Sequence, residues 1–213
     1  MKEVSLKTKI KQKRGQGEGA NYKPWILTRE VKGNTGTSTI LKDWKHGRQV
    51  HLLSQGELWA YYILRWRDDV VDIREQYPLN IDSTIMIADM LGYKHPQKNG
   101  QDIVMTTDLF VTVLHDNRQS QIAYCVKSDE SVLDSQRCVE KLTIERIYWE
   151  AKGIPFKLIY KNKLNPHLVN NIRDVCTYYN INDCYTEEQL IKHHIAHKQI
   201  IVDMTVPIDY NNL

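Results

Sequence analysis

The order of predicted helices and strands restricts the fold of this 213-residue chain more than any other feature. An almost wholly apolar run predicts a buried helix. An alternating run after it predicts one strand, and two further β-rich runs predict two more strands that form a hairpin. A second long helix and a final apolar strand follow. These runs are, in chain order, residues 54–66, 70–77, 107–114, 121–128, 133–152 and 154–160. The order α-β-β-β-α-β predicts an α/β fold with a mixed sheet flanked by helices.

The flanking segments predict three regions. Residues 1–22 are polar and rich in Gly and Lys, so we expect a basic flexible arm. Residues 23–165 carry the core, in which residues 80–105 are expected to form a loop with one short helical turn. Residues 166–213 predict a short, mainly helical C-terminal extension, ending in a short strand over residues 199–207.

Composition excludes several classes of protein. With 41% hydrophobic and 26% charged residues, the chain is neither disordered nor fibrous. It has no apolar run long enough to span a bilayer, and its N-terminus lacks the apolar core of a secretory signal. We therefore expect a cytoplasmic protein that does not contact membranes and whose four cysteines are reduced.

Basic residues are concentrated at the N-terminus. Residues 1–32 hold nine basic side chains and three acidic ones, whereas the rest of the chain carries a small negative excess. Such an arm suits contact with a polyanion, with a solvated terminus as the alternative. The candidate DNA-binding residues are Lys11, Lys13, Arg14 and Lys23.

The predicted hairpin brings an acid and a lysine together. If Leu114 faces Gln121 across the turn, Asp108 lies opposite Lys127, with Cβ atoms about 5 Å apart. Cys125 shares a face with Lys127 because side chains alternate along a strand. This register is an assumption, since a slip of one residue would separate the pair.

Two helical carboxylates are expected near this pair. Glu57 shares a helical stripe with Tyr61, and Glu145 shares one with Trp149. Carboxylates and a lysine at a sheet edge suit phosphodiester hydrolysis, in which one or two Mg²⁺ ions neutralise the phosphate and Lys127 positions water. The alternatives are that Glu57 only caps its helix, that Asp108 and Lys127 form an ordinary ion pair, and that Glu145 points outward.

Several short segments together resemble the TnsA endonucleases of bacterial cut-and-paste transposons. The resemblance runs from about Arg14 to Asn171. Its segments, in chain order, are RGQGEGANYKPW, GRQVHLLSQGEL, VDIREQYPL, YKHP, VMTTD, YCVKS, EKLTIERIYWEAKGIP and the NP pair. The resemblance implies a core like that of type II restriction endonucleases and Mg²⁺-dependent cleavage of DNA, with Mn²⁺ as a possible substitute.

The resemblance also implies roles for individual residues. Glu57 and Asp108 would be metal ligands, Lys127 would be the catalytic lysine, and the main-chain carbonyl of Val126 would be a further ligand. Glu145 matches a family glutamate with an auxiliary role. Cys125 departs from the family, which has Gln there, and sulfur is a poor ligand for Mg²⁺. The C-terminal extension is shorter than the winged-helix region of better-known members.

The family implies a division of labour among several proteins. TnsA-like subunits cut the 5′ strands at double-stranded transposon ends. A TnsB-like DDE transposase cuts and joins the 3′ strands, and a TnsC-like ATPase regulates the assembly. The alternative function is a non-catalytic subunit that docks on DNA ends or on the ATPase, and Cys125 is the feature that favours it.

Overall fold

The computed structural model describes residues 4–31, 37–181 and 185–213. The helices are α1 (Leu6–Lys11), α2 (Gln55–Trp66), α3 (Ile81–Met90), α4 (Gln136–Glu150), α5 (Pro166–Cys176) and α6 (Glu187–Ala196). The strands are β1 (Thr39–Lys42), β2 (Gln49–Leu52), β3 (Val70–Pro78), β4 (Gln97–Lys98), β5 (Gln101–Asp102), β6 (Thr106–His115), β7 (Arg118–Lys127) and β8 (Phe156–Tyr160). Within the described residues, no helix combines the length and apolar character needed to cross a membrane.

A four-stranded mixed sheet in the order β3-β6-β7-β8 forms the centre of the fold. Strand β6 is antiparallel to both β3 and β7, whereas β7 and β8 are parallel. The chain reaches β8 through α4, because parallel neighbours need a long crossover connection. The element order α2-β3-β6-β7-α4-β8 confirms the predicted α/β core.

Hydrophobic clusters cover both faces of the sheet. On one face, Leu109 and Val111 pack under α2 with Tyr61. On the other, Phe110 packs with Ile144 and with residues of α3 and α4. Alternate residues of β6 therefore enter opposite clusters, as expected for a strand that is buried on both sides.

The C-terminal extension packs on α2 as part of the same core. Ile172 and Val175 of α5 and Ile195 of α6 are at most 1% exposed and belong to the cluster under α2. The predicted strand over residues 199–207 is wrong, since this segment forms turns and irregular structure.

Helix α3 is longer than the predicted single turn. Asn80 caps it, because its Oδ1 accepts a hydrogen bond from the Ser83 N–H at 2.9 Å. Ile87 and Ala88 bury its inner face against the sheet. A capping residue followed by apolar residues at helical spacing marks the beginning of a helix. This segment therefore forms a helix of ten residues, where a loop with one helical turn was predicted.

The hairpin register differs by two residues from the predicted one. Leu114 pairs with Gln119, and Leu109 pairs with Tyr124. The turn is a tight one, in which Asp116 and Asn117 both have positive φ, at 47° and 59°. Such two-residue turns match the right-handed twist of the flanking strands. Because the turn takes only two residues, the polar residues on either side of it pair with each other and lengthen both strands. A shift of two preserves which face each residue occupies.

The N-terminal segment is packed against the core, which corrects the expectation of a flexible arm for residues 4–22. Gly15 has φ of 74°, and a Cβ there would lie 2.2 Å from the Cγ of Pro78 at the end of β3. Arg14 is 5% exposed, and its Nη1 binds the Glu30 Oε2 at 2.6 Å. Tyr22 is also buried and donates a hydrogen bond to the Glu75 carbonyl.

Candidate active site

Helix α2 begins directly beside the end of β7. Ser54 caps the helix by accepting the Glu57 N–H on its Oγ at 3.1 Å. A Cβ on Gly56 would lie 3.2 Å from Val126 Cγ1, so glycine allows the helix to approach this strand closely. The first turn of α2 therefore brings Glu57 to the edge of the sheet where β7 ends.

The buried Glu57 carboxylate accepts three hydrogen bonds. The Leu53 N–H and the Gln76 side-chain amide donate to Oε2 at 2.9 and 3.0 Å, and the Ser54 hydroxyl donates to Oε1 at 3.0 Å. Burial and the nearby Asp108 charge raise the pKa of Glu57 despite these donors. Glu57 thus contributes to the helix start and also faces Asp108, so the capping interpretation describes only one of its roles.

Gln76 is a site residue that the sequence analysis missed. It is 2% exposed and has φ of 47° within β3. Ile73 and Tyr77, four residues apart, would share a face in a regular strand, yet they enter opposite clusters. The left-handed backbone at Gln76 accounts for this switch, and its side chain reaches Glu57 while accepting from the Thr106 hydroxyl at 3.2 Å.

Asp108 is anchored to β7 through its side chain. Its Oδ2 accepts the Val126 N–H at 2.7 Å. The last pair of the β6–β7 ladder is Leu109 with Tyr124. If the same register continues for one more residue, Asp108 lies opposite Cys125. The predicted pairing of Asp108 with Lys127 is therefore wrong in register, although Lys127 still acts on the Asp108 charge.

Cys125 and Lys127 provide a neutral thiol and a cation beside Asp108. Burial, and then the Asp108 charge, raise the pKa of the Cys125 thiol, so it stays protonated at neutral pH. Burial disfavours the charged form of Lys127, but the Asp108 charge and a hydrogen bond to the Cys125 sulfur outweigh this effect and raise the pKa of Lys127. Lys127 is therefore an ammonium ion held close to a carboxylate.

Glu145 points inward from α4, which rules out the outward alternative. It is 5% exposed, and its Oε1 accepts the Thr107 hydroxyl at 2.6 Å. Thr107 in turn accepts the indole N–H of Trp149 at 2.7 Å. Burial, with a further effect from the Asp108 charge, raises the pKa of Glu145 to about 8, so this acid is mainly neutral at pH 7.

The donor set suits a hard divalent cation. Glu57 is buried and Asp108 is half-buried; the Asp108 charge helps to raise the pKa of Glu57, and a bound cation would favour the ionised form of both acids. The N–H of Val126 faces Asp108, and its carbonyl points to the same side of the strand. No group of three His, Cys, Asp or Glu side chains is arranged for a metal in the part of the chain that the structure describes. The two carboxylates would therefore need Val126 and water as further ligands.

The four candidate DNA-binding residues occupy different environments. Lys11, Lys13 and Lys23 are exposed. Arg14 is buried, and its guanidinium also binds the Gln12 side chain and the Trp25 carbonyl. The structure thus leaves the three lysines accessible to DNA, whereas Arg14 mainly holds the N-terminal segment in place.

Two comparisons show which known proteins this chain is similar to. Residues 67–161, which include β3, the hairpin, α4 and β8, match the model of the TnsA-like endonuclease N-terminal family. The chain is also 41% identical over 170 residues to the transposon Tn7 transposition protein TnsA of Escherichia coli. That alignment covers 80% of this chain and 61% of the relative, so the chain spans about three fifths of the relative's length.

Proposed function

The chain belongs to the TnsA family of transposition endonucleases, and from that premise we propose that it is the metal-dependent DNA nuclease subunit of a Tn7-type transposition system. The observation that carries the proposal is the convergence of Glu57, Asp108 and Lys127 at one end of the sheet. Electrostatic interactions join Glu57 to Asp108 and Asp108 to Lys127. Metal-dependent phosphodiester hydrolysis requires such a combination of carboxylates and a cation.

Glu57, Asp108 and the Val126 carbonyl would hold one or two Mg²⁺ ions, which Mn²⁺ could replace. A bound ion would supply Lewis-acid polarisation of the phosphate and a template for water. Asp108 is fixed by the Val126 N–H, and Glu57 is fixed by its three donors. Both ligands are thereby held in position before substrate arrives, which lowers the cost of binding.

Lys127 supplies the remaining positive charge. Its ammonium group lies near Asp108 and stays protonated, so it stabilises negative charge on the phosphate and orients the attacking water by donating hydrogen bonds. Glu145 is an auxiliary residue, since it is neutral at pH 7 and bound to Thr107. Cys125 contributes a neutral thiol and leaves metal binding to oxygen ligands.

The substrate in this proposal is double-stranded DNA at transposon ends, cut on the 5′ strand in the bacterial cytoplasm. A TnsB-like DDE transposase would cut and join the 3′ strand, and a TnsC-like ATPase would regulate the assembly. Exposed Lys11, Lys13 and Lys23 would contribute contacts with phosphate, and Arg14 would position them.

The proposal is tested by strand-specific cleavage of end-bearing DNA with the complete set of transposition proteins. The wild-type chain should give 5′-strand and 3′-strand cuts, whereas Asp108→Ala and Lys127→Ala should leave only 3′ cuts. Asp89→Ala on α3 and Lys141→Ala on α4, both exposed, are matched controls that should retain both cuts. Persistent 5′ cutting by both site variants would remove these residues from the mechanism.

A non-catalytic docking subunit is the second candidate function. Two observations favour it: Cys125 beside Asp108, and the described residues' lack of a three-side-chain metal group. Calorimetric titration with Mg²⁺ and Mn²⁺ separates the two functions. Uptake that is lost in Asp108→Ala supports the nuclease, and no uptake by wild type supports the docking subunit.

A further inference from the structure

A basic pocket lies between the N-terminal segment and the start of β2. Its volume is about 400 Å³, and none of the residues that line it is acidic. The lining side chains that matter here are Arg14, Lys23, Arg29, Arg48, Gln49 and His51. A cavity bounded by hydrogen-bond donors and cations favours an anionic ligand.

Two of the arginines form the rigid wall of the basic pocket. Arg14 pairs with Glu30 at 2.6 Å, and Arg48 binds both carboxylate oxygens of the fully buried Glu75, at 2.9 and 2.6 Å. Arg14 Nη2 and Arg48 Nε are nevertheless buried without a hydrogen-bond partner in the described part of the chain. These side chains therefore hold their positions and form a fixed, positively charged wall, and the two unpartnered nitrogens lie behind its surface.

The excess positive charge comes from two exposed residues at the rim. Lys23 forms backbone hydrogen bonds with Gly15 and Gln16, but neither its side chain nor that of Arg29 forms an ion pair or hydrogen bond with any residue that the structure describes. His51 adds a neutral donor, because its Nδ1 accepts the Thr28 N–H at 3.4 Å and so leaves the proton on Nε2. Fixed donors with free cations around them are typical of phosphate binding.

The basic pocket is joined to the candidate active site by two short connections. His51 precedes Leu53 by two residues, roughly 7 Å of extended chain, and the Leu53 N–H binds Glu57. The His51 N–H also binds Glu75, whose neighbour Gln76 binds Glu57. Both connections are short, so the wall of the basic pocket and the residues that hold Glu57 belong to neighbouring parts of the same framework.

We propose that the basic pocket binds a backbone phosphate of the DNA strand close to the phosphate that is cut. The proposal rests on the proposed function for the position of that second phosphate. Lys23 and Arg29 neutralise its charge, while His51 and Gln49 donate hydrogen bonds to its oxygens. The contact is independent of base sequence, so it fixes the strand without specifying the site.

The test is DNA binding by the full chain, measured by fluorescence anisotropy with a labelled duplex in EDTA, from about 50 to 200 mM salt. Wild type is compared with Lys23→Ala/Arg29→Ala, in which both altered residues are exposed. Loss of one phosphate contact should reduce the slope of log Kobs against log salt by about 0.9 and weaken binding at every salt concentration. The charge-retaining variant Lys23→Arg/Arg29→Lys should keep the wild-type slope.

The matched control is Arg118→Ala/Lys141→Ala, which removes the same two charges from exposed positions away from the basic pocket. Its slope should equal that of wild type. An equal slope in the pocket variant, or no binding by wild type at 50 mM salt, overturns the proposal. A second arm measures the melting temperature with inorganic phosphate. If phosphate raises the melting temperature of wild type and of the control but not of the pocket variant, while the DNA-binding slopes of all three proteins are equal, the pocket is a site for small anions. That result also overturns the proposal.

Both arms use protein without divalent metal, so their outcome does not depend on cleavage. If the nuclease proposal fails in the Asp108→Ala cleavage assay, the binding slopes remain interpretable. If the slopes contradict the pocket, the strand-specific cleavage result stands unchanged.

Discussion

Replacing Glu145 with glutamine should remove a large pH dependence from the stability of the metal-free protein. The folded chain raises the pKa of this carboxyl from 4.5 to about 8, through burial first and the Asp108 charge second. An acid with a raised pKa stabilises the fold fully only below its unfolded pKa. That contribution is lost as the pH rises through the folded value.

The expected magnitude follows from the two pKa values. A shift of this size corresponds to roughly 5 kcal/mol in total, most of which is lost between pH 5 and pH 8. Glu145→Gln keeps the shape of the side chain and an acceptor for the Thr107 hydroxyl, but it cannot ionise. The variant should therefore lie within about 1 kcal/mol of wild type at pH 5 and gain about 3 kcal/mol relative to it at pH 8.

Urea unfolding in EDTA at both pH values measures this difference through tryptophan fluorescence. Glu57 and Asp108 also titrate in the folded protein, and because the Asp108 charge acts on Glu145, the difference between the two proteins reports Glu145 together with its interaction with Asp108. Glu150→Gln is the control, because Glu150 is exposed on the same helix and pairs with Arg146 at the surface. If wild type and Glu145→Gln differ in free energy of unfolding by the same amount at pH 5 and at pH 8, the reasoning is refuted.

Three further changes test other parts of the structure. Gln76→Ala removes a hydrogen-bond donor to Glu57. Half-maximal cleavage should then need a higher Mg²⁺ concentration, while kcat at saturating Mg²⁺ should change less. An unchanged Mg²⁺ titration would contradict the role of Gln76 in holding Glu57. Arg65→Met removes both guanidinium hydrogen bonds of the buried Asp43 carboxylate, which keeps the Lys45 N–H and the nearby His46, and it should cost about 3–5 kcal/mol in urea unfolding; Asp43→Leu in the same chain should recover most of the loss. Gly15→Ala should lower the melting temperature because of both its positive φ and the clash at Pro78, and an unchanged value would refute the observed packing.

The element order was predictable from sequence because its periodicity is strong. The apolar run over α2, the alternation in β3 and the β-rich composition of β6 and β7 each match one type of structure. The register of the hairpin was not predictable from the apolar pattern alone. Residues near the turn are polar on both faces, so only the left-handed preference of Asp116 and Asn117 marks where the chain reverses.

The candidate site was predictable where carboxylates interrupt apolar stripes. Glu57 and Glu145 each occupy an inward helical position, and such a placement is costly unless the acid is paired, neutral or bound to a metal. Gln76 gave no comparable signal. A glutamine within an alternating strand resembles an ordinary surface residue, and its left-handed backbone arises from tertiary contacts.

One of those contacts explains why a strained residue is retained at this position. Turning the backbone at Gln76 directs its carbonyl to the Trp25 N–H of the N-terminal segment, at 3.2 Å, and its side chain to Glu57. The preceding residue, Glu75, binds Arg48 and the His51 N–H on the other side. Adjacent residues of β3 therefore hold the candidate metal ligand and the wall of the basic pocket. Because both depend on one rigid strand, a local change at β3 should disturb metal binding and DNA binding together.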